Sequence, residues 1–304
     1  MLLDAASLYF RAYFGVPESI TAPDGTPVNA VRGFLDMVAT LVGRYRPDRL
    51  VACWDDDWRP AWRVEAIPSY KAHRVAQEVP GAPDVEEVPD TLTPQVPVIA
   101  EALAALGIAR VGAPGCEADD VIGTLVTRAV AAGAAVDVVT GDRDLFQLVD
   151  DAAEVRVLYT GRGVSRLEVV DQARLRERYG IAGGDAYAAL AVLRGDPSDG
   201  LPGVPGIGEK TAAGLLARYG DLAALVAALD RGDPALPRGQ RARLAAARDY
   251  LLAAPAVVRV LRDAELPDVD DRLPAEPARP EALVALADRW GIGSSLGRVV
   301  DALG

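Results

Sequence analysis

Lysine, histidine and cysteine are almost missing from this sequence. Among 304 residues there are two lysines, Lys71 and Lys210, one histidine, His73, and two cysteines, Cys53 and Cys116. So few His and Cys ligands argue against zinc, and nothing resembles a Ser-His-Asp or Cys-His arrangement. The two cysteines have no metal-ligand spacing and read as reduced, structural residues. No apolar run approaches the roughly 18 residues of a membrane span. The start, Met1-Leu2-Leu3-Asp4, has no basic leader, so a cytoplasmic protein without a membrane is expected. Basic residues are also the minority, 32 against 44 acidic, for a net charge of -12. That average argues against a polyanionic partner, unless the carboxylates are gathered in one place and neutralised by divalent cations.

Half of the residues are hydrophobic, which excludes a disordered chain. In the first half, apolar runs alternate with amphipathic stretches, the pattern of an α/β fold with a mainly parallel sheet flanked by helices. Strands are expected at Leu2 to Leu3, Leu50 to Trp54, Ile108 to Val111, Val136 to Thr140 and Val155 to Tyr159. Helices are expected at Val28 to Tyr45, Val98 to Leu106 and around Ile122 to Val130, whose apolar spacing marks one buried face. From about Gln172 short helices take over, which puts a domain boundary near residue 175, with units 1–175 and 176–304. Pro80 to Pro94 and Leu266 to Pro280 read as irregular, the latter as a surface linker.

Three of the expected strands run into aspartates: Leu2-Leu3-Asp4, Val51 to Asp55, and Val138 through Asp142 to Asp144. In a parallel sheet the carboxyl ends of the strands lie along one edge, where ligands bind. Glu117, Asp119 and Asp120 open the next helix at the same edge, and Asp196 and Asp199 sit in a loop just beyond the boundary. Each acid alone could be a helix cap or a turn former. Together, with only Arg143 interspersed in sequence, these nine would repel one another severely unless cations lay between them. Oxygen ligands in that number fit two hard divalent cations, Mg²⁺ or Mn²⁺, the arrangement that supports in-line phosphoryl displacement.

Between residues 59 and 74 stand Arg59, Arg63, Lys71 and Arg74, with Trp58, Trp62 and Tyr70 interleaved and one acid, Glu65. Such a mixture suits single-stranded nucleic acid, which stacks its bases and offers its phosphates. Leu201 to Thr211, with Gly203, Gly206, Gly208, Lys210 and Thr211, precedes an alanine-rich helix, Ala212 to Tyr219. Its spacing is not that of a P-loop; a helix-hairpin-helix gripping a duplex backbone is the better match. With thirty arginines available, the retention of lysine only at positions 71 and 210 suggests a particular use for a compact ammonium at both.

The motifs Gly115 to Val121, Thr140 to Leu148 and Gly195 to Thr211 together closely resemble the bacterial 5′-3′ exonuclease and flap endonuclease family, which includes the N-terminal nuclease domain of DNA polymerase I. The resemblance runs nearly end to end. It implies a PIN-like nuclease domain with a helical arch at about 59–95, followed by a helix-hairpin-helix (H3TH) domain that binds duplex DNA with a potassium ion at the hairpin. Carried over by position, Asp4, Asp55, Glu117 and Asp119 resemble the ligands of one metal, and Asp142, Asp144 and Asp199 those of the other. Asp120 and Asp196 resemble water-mediated contributors. Arg11, Arg63, Lys71 and Tyr70 resemble phosphate-contacting and arch residues near the scissile bond. The sequence departs from the family at Gly200, where asparagine is usual, and it has no room for a polymerase, so a free-standing form is expected.

The resulting expectation is a monomeric, structure-specific nuclease with two or more divalent cations. Its substrate would be DNA with a 5′ flap, nick or free 5′ end, or an RNA-DNA hybrid. The alternatives are a fork-binding scaffold that has lost metal competence and a small-molecule phosphohydrolase, which would leave the hairpin and the basic stretch without purpose.

Overall fold

The expected strands pair side by side, and the intervening helices cover both faces of the resulting sheet. The structure is a computed structural model that describes residues 1–79, 82 and 84–304. The first elements are β1 (Leu2–Asp4), α1 (Ala5–Gly15), α2 (Asn29–Tyr45), β2 (Val51–Cys53), α3 (Ala61–Ala66), β3 (Val75–Gln77) and β4 (Val85–Glu86). There follow α4 (Gln95–Leu106), β5 (Ala109–Val111), α5 (Ala118–Ala131), β6 (Val136–Thr140), β7 (Val155–Tyr159) and β8 (Glu168–Val170). Helices complete the chain: α6 (Gln172–Tyr179), α7 (Gly184–Arg194), α8 (Glu209–Tyr219), α9 (Leu222–Asp230), α10 (Arg238–Ala246), α11 (Arg248–Val258), α12 (Pro280–Trp290) and α13 (Gly293–Leu303).

Six strands form one sheet in the order β5-β2-β1-β6-β7-β8, parallel throughout except for β8 against β7. Side chains alternate across it. Leu2, Val51, Val138 and Val157 point into a core shared with α5 and with α7 to α11. Leu3, Ala52, Val139 and Leu158 point into a second core with α1, α2, α4 and α13. Strands buried on both faces are why these runs are apolar without interruption. The antiparallel β8 was not expected, being three residues with one polar member.

The 59–95 stretch, expected as a helical arch, is broken up. Its described residues form the six-residue α3, a 3₁₀ turn at Ala72–Arg74 and the hairpin β3–β4. Pro60, Pro68, Pro89 and Pro94 withhold the N–H that a longer helix needs. Pro80, Gly81 and Pro83 of the irregular Pro80 to Pro94 stretch lie outside the described residues. Leu266 to Pro280 is not a free linker: Leu50 N donates to Asp271 O (2.9 Å) and Leu273 N to Asp48 O (2.9 Å). It leads α12 and α13 back to α4 and α2 of the sheet domain, so residues 280–303 pack away from the other helices of the 176–304 unit. Among the described residues no single helix is long and apolar enough to cross a membrane.

One buried side chain joins two helices of the second core, α2 and α4. The first residue before α2 is Val28, which offers no side-chain cap. Gln95, 1% exposed at the start of α4, supplies it: Oε1 accepts from Ala30 N (2.8 Å) and Val31 N (3.3 Å), while Nε2 donates to Asn29 Oδ1 (3.0 Å) and Thr91 O (2.8 Å). Gln95→Leu strands these amides without water, and each costs about 1–3 kcal/mol. A drop of that order in unfolding free energy, measured by denaturant titration, is expected; an unchanged midpoint would refute the cap.

Candidate metal and phosphate site

Three adjacent parallel strands create the site. β2, β1 and β6 end at one edge of the sheet, where β1 terminates on Asp4, β2 continues through Trp54 to Asp55, and β6 through Gly141 to Asp142. Glu117 and Asp119 arrive at the start of α5, and Asp196 in the turn after α7. Asp4, Asp55, Glu117, Asp119, Asp142 and Asp196 line one cleft of about 440 Å³. Asp144 and Asp199 stand beside it, close enough for charge interaction with Asp142.

Short polar contacts fix the acids. Asp4 caps α1, accepting from Ser7 N (3.1 Å) and from Thr140 Oγ1 (2.6 Å). The same Thr140 hydroxyl accepts from Asp142 N (2.8 Å), and Ser7 Oγ accepts from Gly141 N (2.7 Å), so β1 and β6 brace each other's loops. Asp55 accepts from Ala118 N (2.7 Å) in the first turn of α5. Asp142 in turn accepts from Asp144 N (2.9 Å).

Burial, with Asp55 and Asp142 nearby, raises the Asp4 carboxyl to about 7. Burial raises Asp55 to about 6. Asp119 is pushed well above the usual range by burial, Asp142 and Asp4, and Asp144 by burial, Asp142 and Asp199. Burial, reinforced by neighbouring carboxylates, favours the protonated form, and the nearby Lys71 and Arg194 do not offset it. All-oxygen ligands with unbalanced charge fit hard divalent cations. Among the described residues, no three of these acids are drawn together as a finished ligand shell.

The expectation that Arg143 is the only cation among the acids is corrected by the fold. Arg63 and Lys71 both reach Glu117, Arg63 Nη1 at 2.7 Å from Oε1, and Tyr70 Oη donates to the same carboxylate at 2.7 Å. Burial would raise Glu117, but Lys71 and Arg63 outweigh it and hold the carboxyl below its usual value. Arg74 meets Asp199 at 3.2 Å, and Arg194, which the sequence reading missed, lies 3.7 Å from Asp196. Arg63, Lys71 and Arg74 come from a distant stretch of chain, which sequence order conceals, whereas Arg194 stands two residues before its acid. Asp120 is fully committed, accepting from Arg63 Nη2 (2.6 Å), Leu261 N (2.9 Å) and Glu117 N (3.1 Å). Arg11 has no carboxylate partner among the described residues and lies beside Gly141.

Three residues expected to contact DNA are instead internal, Arg63 being 2% exposed with its guanidinium held by Glu117 and Asp120. Arg59 is buried, bonded to Tyr70 O (2.7 Å) and paired with Asp84, and Tyr70 is itself 3% exposed. Gly203 is likewise buried: a Cβ there would meet the Arg194 carbonyl carbon at 2.5 Å, so it serves the base of the hairpin. Gly206, Gly208 and Lys210 are exposed and Thr211 is half-buried, with Gly208 preceding α8. Arg243 Nη1 donates to Gly206 O at 2.8 Å. Phe10 and Glu86, not singled out from the sequence, also line the cleft. Cys53 and Cys116 are buried and free.

Two family models divide the chain: "5′-3′ exonuclease, N-terminal resolvase-like domain" matches residues 1–180, and "5′-3′ exonuclease, C-terminal SAM fold" matches 183–281. The chain belongs to the 5′-3′ exonuclease family. A 5′-3′ exonuclease of Streptomyces coelicolor is 65% identical over 303 residues, covering 100% of this chain and 99% of that one. A 5′-3′ exonuclease of Mycobacterium tuberculosis is 57% identical over 310 residues, covering 100% and 97%. DNA polymerase I of the latter species is 40% identical over 278 residues, 91% of this chain but 29% of the polymerase. Among solved structures, the T5 D15 protein co-crystallised with metal ions aligns with a TM-score of 0.66 at 16% identity, covering 100% and 99% of the two chains. The catalytic core of Rad2 in complex with DNA substrate aligns at 0.61 and 16%, covering 99% and 91%. These two likenesses are of fold, and they fit a 5′-3′ exonuclease with a mostly parallel sheet and a helical second part.

The raised carboxyls predict how metal-free stability depends on pH. A folded-state value above the unfolded one, 3.8 for Asp, stabilises the protein fully below the unfolded value and ceases to do so as pH rises through about 7 for Asp4 and about 6 for Asp55. Divalent cations compete with those protons. Added Mg²⁺ or Mn²⁺ should therefore raise the melting temperature more at about pH 8 than at about pH 6, and Asp4→Asn should shrink that difference. Equal shifts at both pH values would count against metal binding at these acids.

Proposed function

We propose that this 5′-3′ exonuclease hydrolyses DNA phosphodiester bonds near a 5′ end, also as a flap endonuclease, with two or more Mg²⁺ or Mn²⁺ ions. The observation that carries this is the delivery of Asp4, Asp55 and Asp142 by three neighbouring strands into one cleft with Asp119, where negative charge exceeds its partners. One ion would be held by Asp4, Asp55, Glu117 and Asp119 and the other by Asp142, Asp144 and Asp199, with Asp196 and Asp120 supporting through water or neighbouring groups. When bound, such ions stabilise the charge that develops on the oxygens of an in-line phosphoryl displacement. The products would be a 5′-phosphate and a 3′-hydroxyl.

The chain's own groups would do the rest. Arg11, without a carboxylate partner among the described residues, and Lys71, which lines the cleft, would face the scissile phosphate. Arg63, buried on Glu117 and Asp120, would hold those acids in place, and Arg74 would meet the strand beyond. The exposed Gly206, Gly208, Lys210 and Thr211 would grip the duplex backbone through amides at the start of α8 and one ammonium. A potassium ion at the hairpin would share its carbonyls with Arg243, which already takes that of Gly206. The division into a nuclease unit up to about residue 175 and a DNA-binding unit beyond it, substrates with a 5′ flap, nick or free end or an RNA-DNA hybrid, a monomeric state and a cytoplasmic setting belong to the same reading. Its use would be the removal of flaps or RNA primers in replication and repair.

A labelled 5′-flap duplex incubated with and without Mg²⁺ or Mn²⁺ tests the reading, and binding without cleavage under every metal would leave only a scaffold. Asp142→Asn should lower the single-turnover rate by about a hundredfold or more while duplex affinity stays close to that of the wild type. Equal loss of binding would remove Asp142 from the chemistry. Lys210→Ala should reduce the salt dependence of duplex binding by about one phosphate contact. An unchanged slope would take the hairpin out of the interface.

A further inference from the structure

Two backbones pass unusually close at the edge of the cleft. Gly200, φ +69°, ends the turn that carries Asp196 and Asp199, and a Cβ built on it would lie 2.1 Å from Ser69 O and 3.3 Å from Lys71 N. Ser69 Oγ donates to Gly200 O (2.7 Å), and Lys71 N donates to Asp199 O (3.0 Å). Opposite this seam, Arg59 holds Tyr70 O. Lys71 itself has φ +48°, a left-handed conformation that a lysine adopts only when its surroundings impose it. Its ammonium then lies on Glu117 and 3.3 Å from Trp58 O.

We propose that Gly200 is a positioning residue: the backbone seam between Ser69 and Gly200 clamps Lys71 in its left-handed conformation and so sets the ammonium at the carboxylate cluster. The inference rests, for its consequence on cleavage, on the reading of Lys71 as a phosphate-facing cation. The acidic turn and the basic segment are thereby one unit, and only a residue without Cβ permits the approach. Asparagine tolerates positive φ but carries a Cβ, so it separates the demand for that dihedral from the demand for closeness.

Lys71 and Lys210 are the only side-chain amines in the sequence, so amine acylation read by peptide mass spectrometry reports the seam without any need for activity. In the wild type Lys210 should label and Lys71, buried, should be protected. Gly200→Ala and Gly200→Asn should both raise Lys71 labelling relative to Lys210 by about tenfold, and should lower single-turnover flap cleavage by about tenfold with duplex affinity retained. Lys71→Ala should then add less than about twofold in the Gly200→Asn background, although it costs more than that in the wild type. Ser69→Ala, which only removes a hydroxyl, should move labelling and cleavage in the same direction by less, and it carries the test if circular dichroism finds the Gly200 variants unfolded. Persistent protection of Lys71 in the Gly200 variants overturns the proposal, as does protection lost with alanine but kept with asparagine. Exposure of Lys71 without loss of cleavage, or fully additive losses, overturns the positioning role. A wild type that never cuts refutes the nuclease reading alone, since acylation still upholds or overturns the seam.

Discussion

The site depends on a charge imbalance that the fold only partly relieves. Acids from β1, β2, β6, α5 and the turn after α7 converge, and cations from the 59–74 segment neutralise one flank, at Glu117, Asp120 and Asp199. Among the described residues Asp4, Asp119 and Asp144 have no ion-pair partner, and burial together with neighbouring carboxylates raises their affinity for protons. Had the chain supplied cations for all nine acids, the cleft would be an internal ion-pair network with no call for a metal. Had it supplied none, repulsion would work against folding whenever metal was scarce. The observed division keeps one side of the cleft assembled by protein charge alone.

Much of this was legible in the residues because strand and motif coincide. Leu2-Leu3-Asp4, Val51 to Asp55 and Val138 to Asp142 are local patterns, and a parallel sheet converts them into a shared edge with no further information. The strand order placing β1 between β2 and β6 makes that edge a single cleft rather than a row. Paired cations were illegible because Arg63 and Glu117 are 54 positions apart and Arg74 and Asp199 are 125 apart. The basic stretch looked like an exposed nucleic-acid surface by composition. Its outcome depends on tertiary docking: Arg59 and Tyr70 are buried against each other, while Arg74 remains half-buried at the cleft. The helical arch failed as an expectation for a local reason, since prolines recur too often for a long helix.

Gly200 illustrates how a departure from a family's usual residue acquires meaning only in three dimensions. In sequence it is only a glycine in place of the usual asparagine; in the structure it is the point where the basic 59–74 segment lies against an acidic turn. Gly203, by contrast, belongs to the hairpin motif in sequence but meets Arg194 rather than solvent. Both glycines thus serve close backbone approach, Gly200 to Ser69 and Gly203 to Arg194.

The short connection from α7 to the hairpin has a geometric result. Asp196 and Asp199 follow directly on the helix end at Arg194, and the hairpin turns back so that Gly203 rests on that same residue. Acid and hairpin are therefore anchored to one end of one helix, inside a core continuous with the sheet. If a duplex sits on the hairpin as proposed, its distance from the cleft is set by that shared helix end, and with it the register of incision.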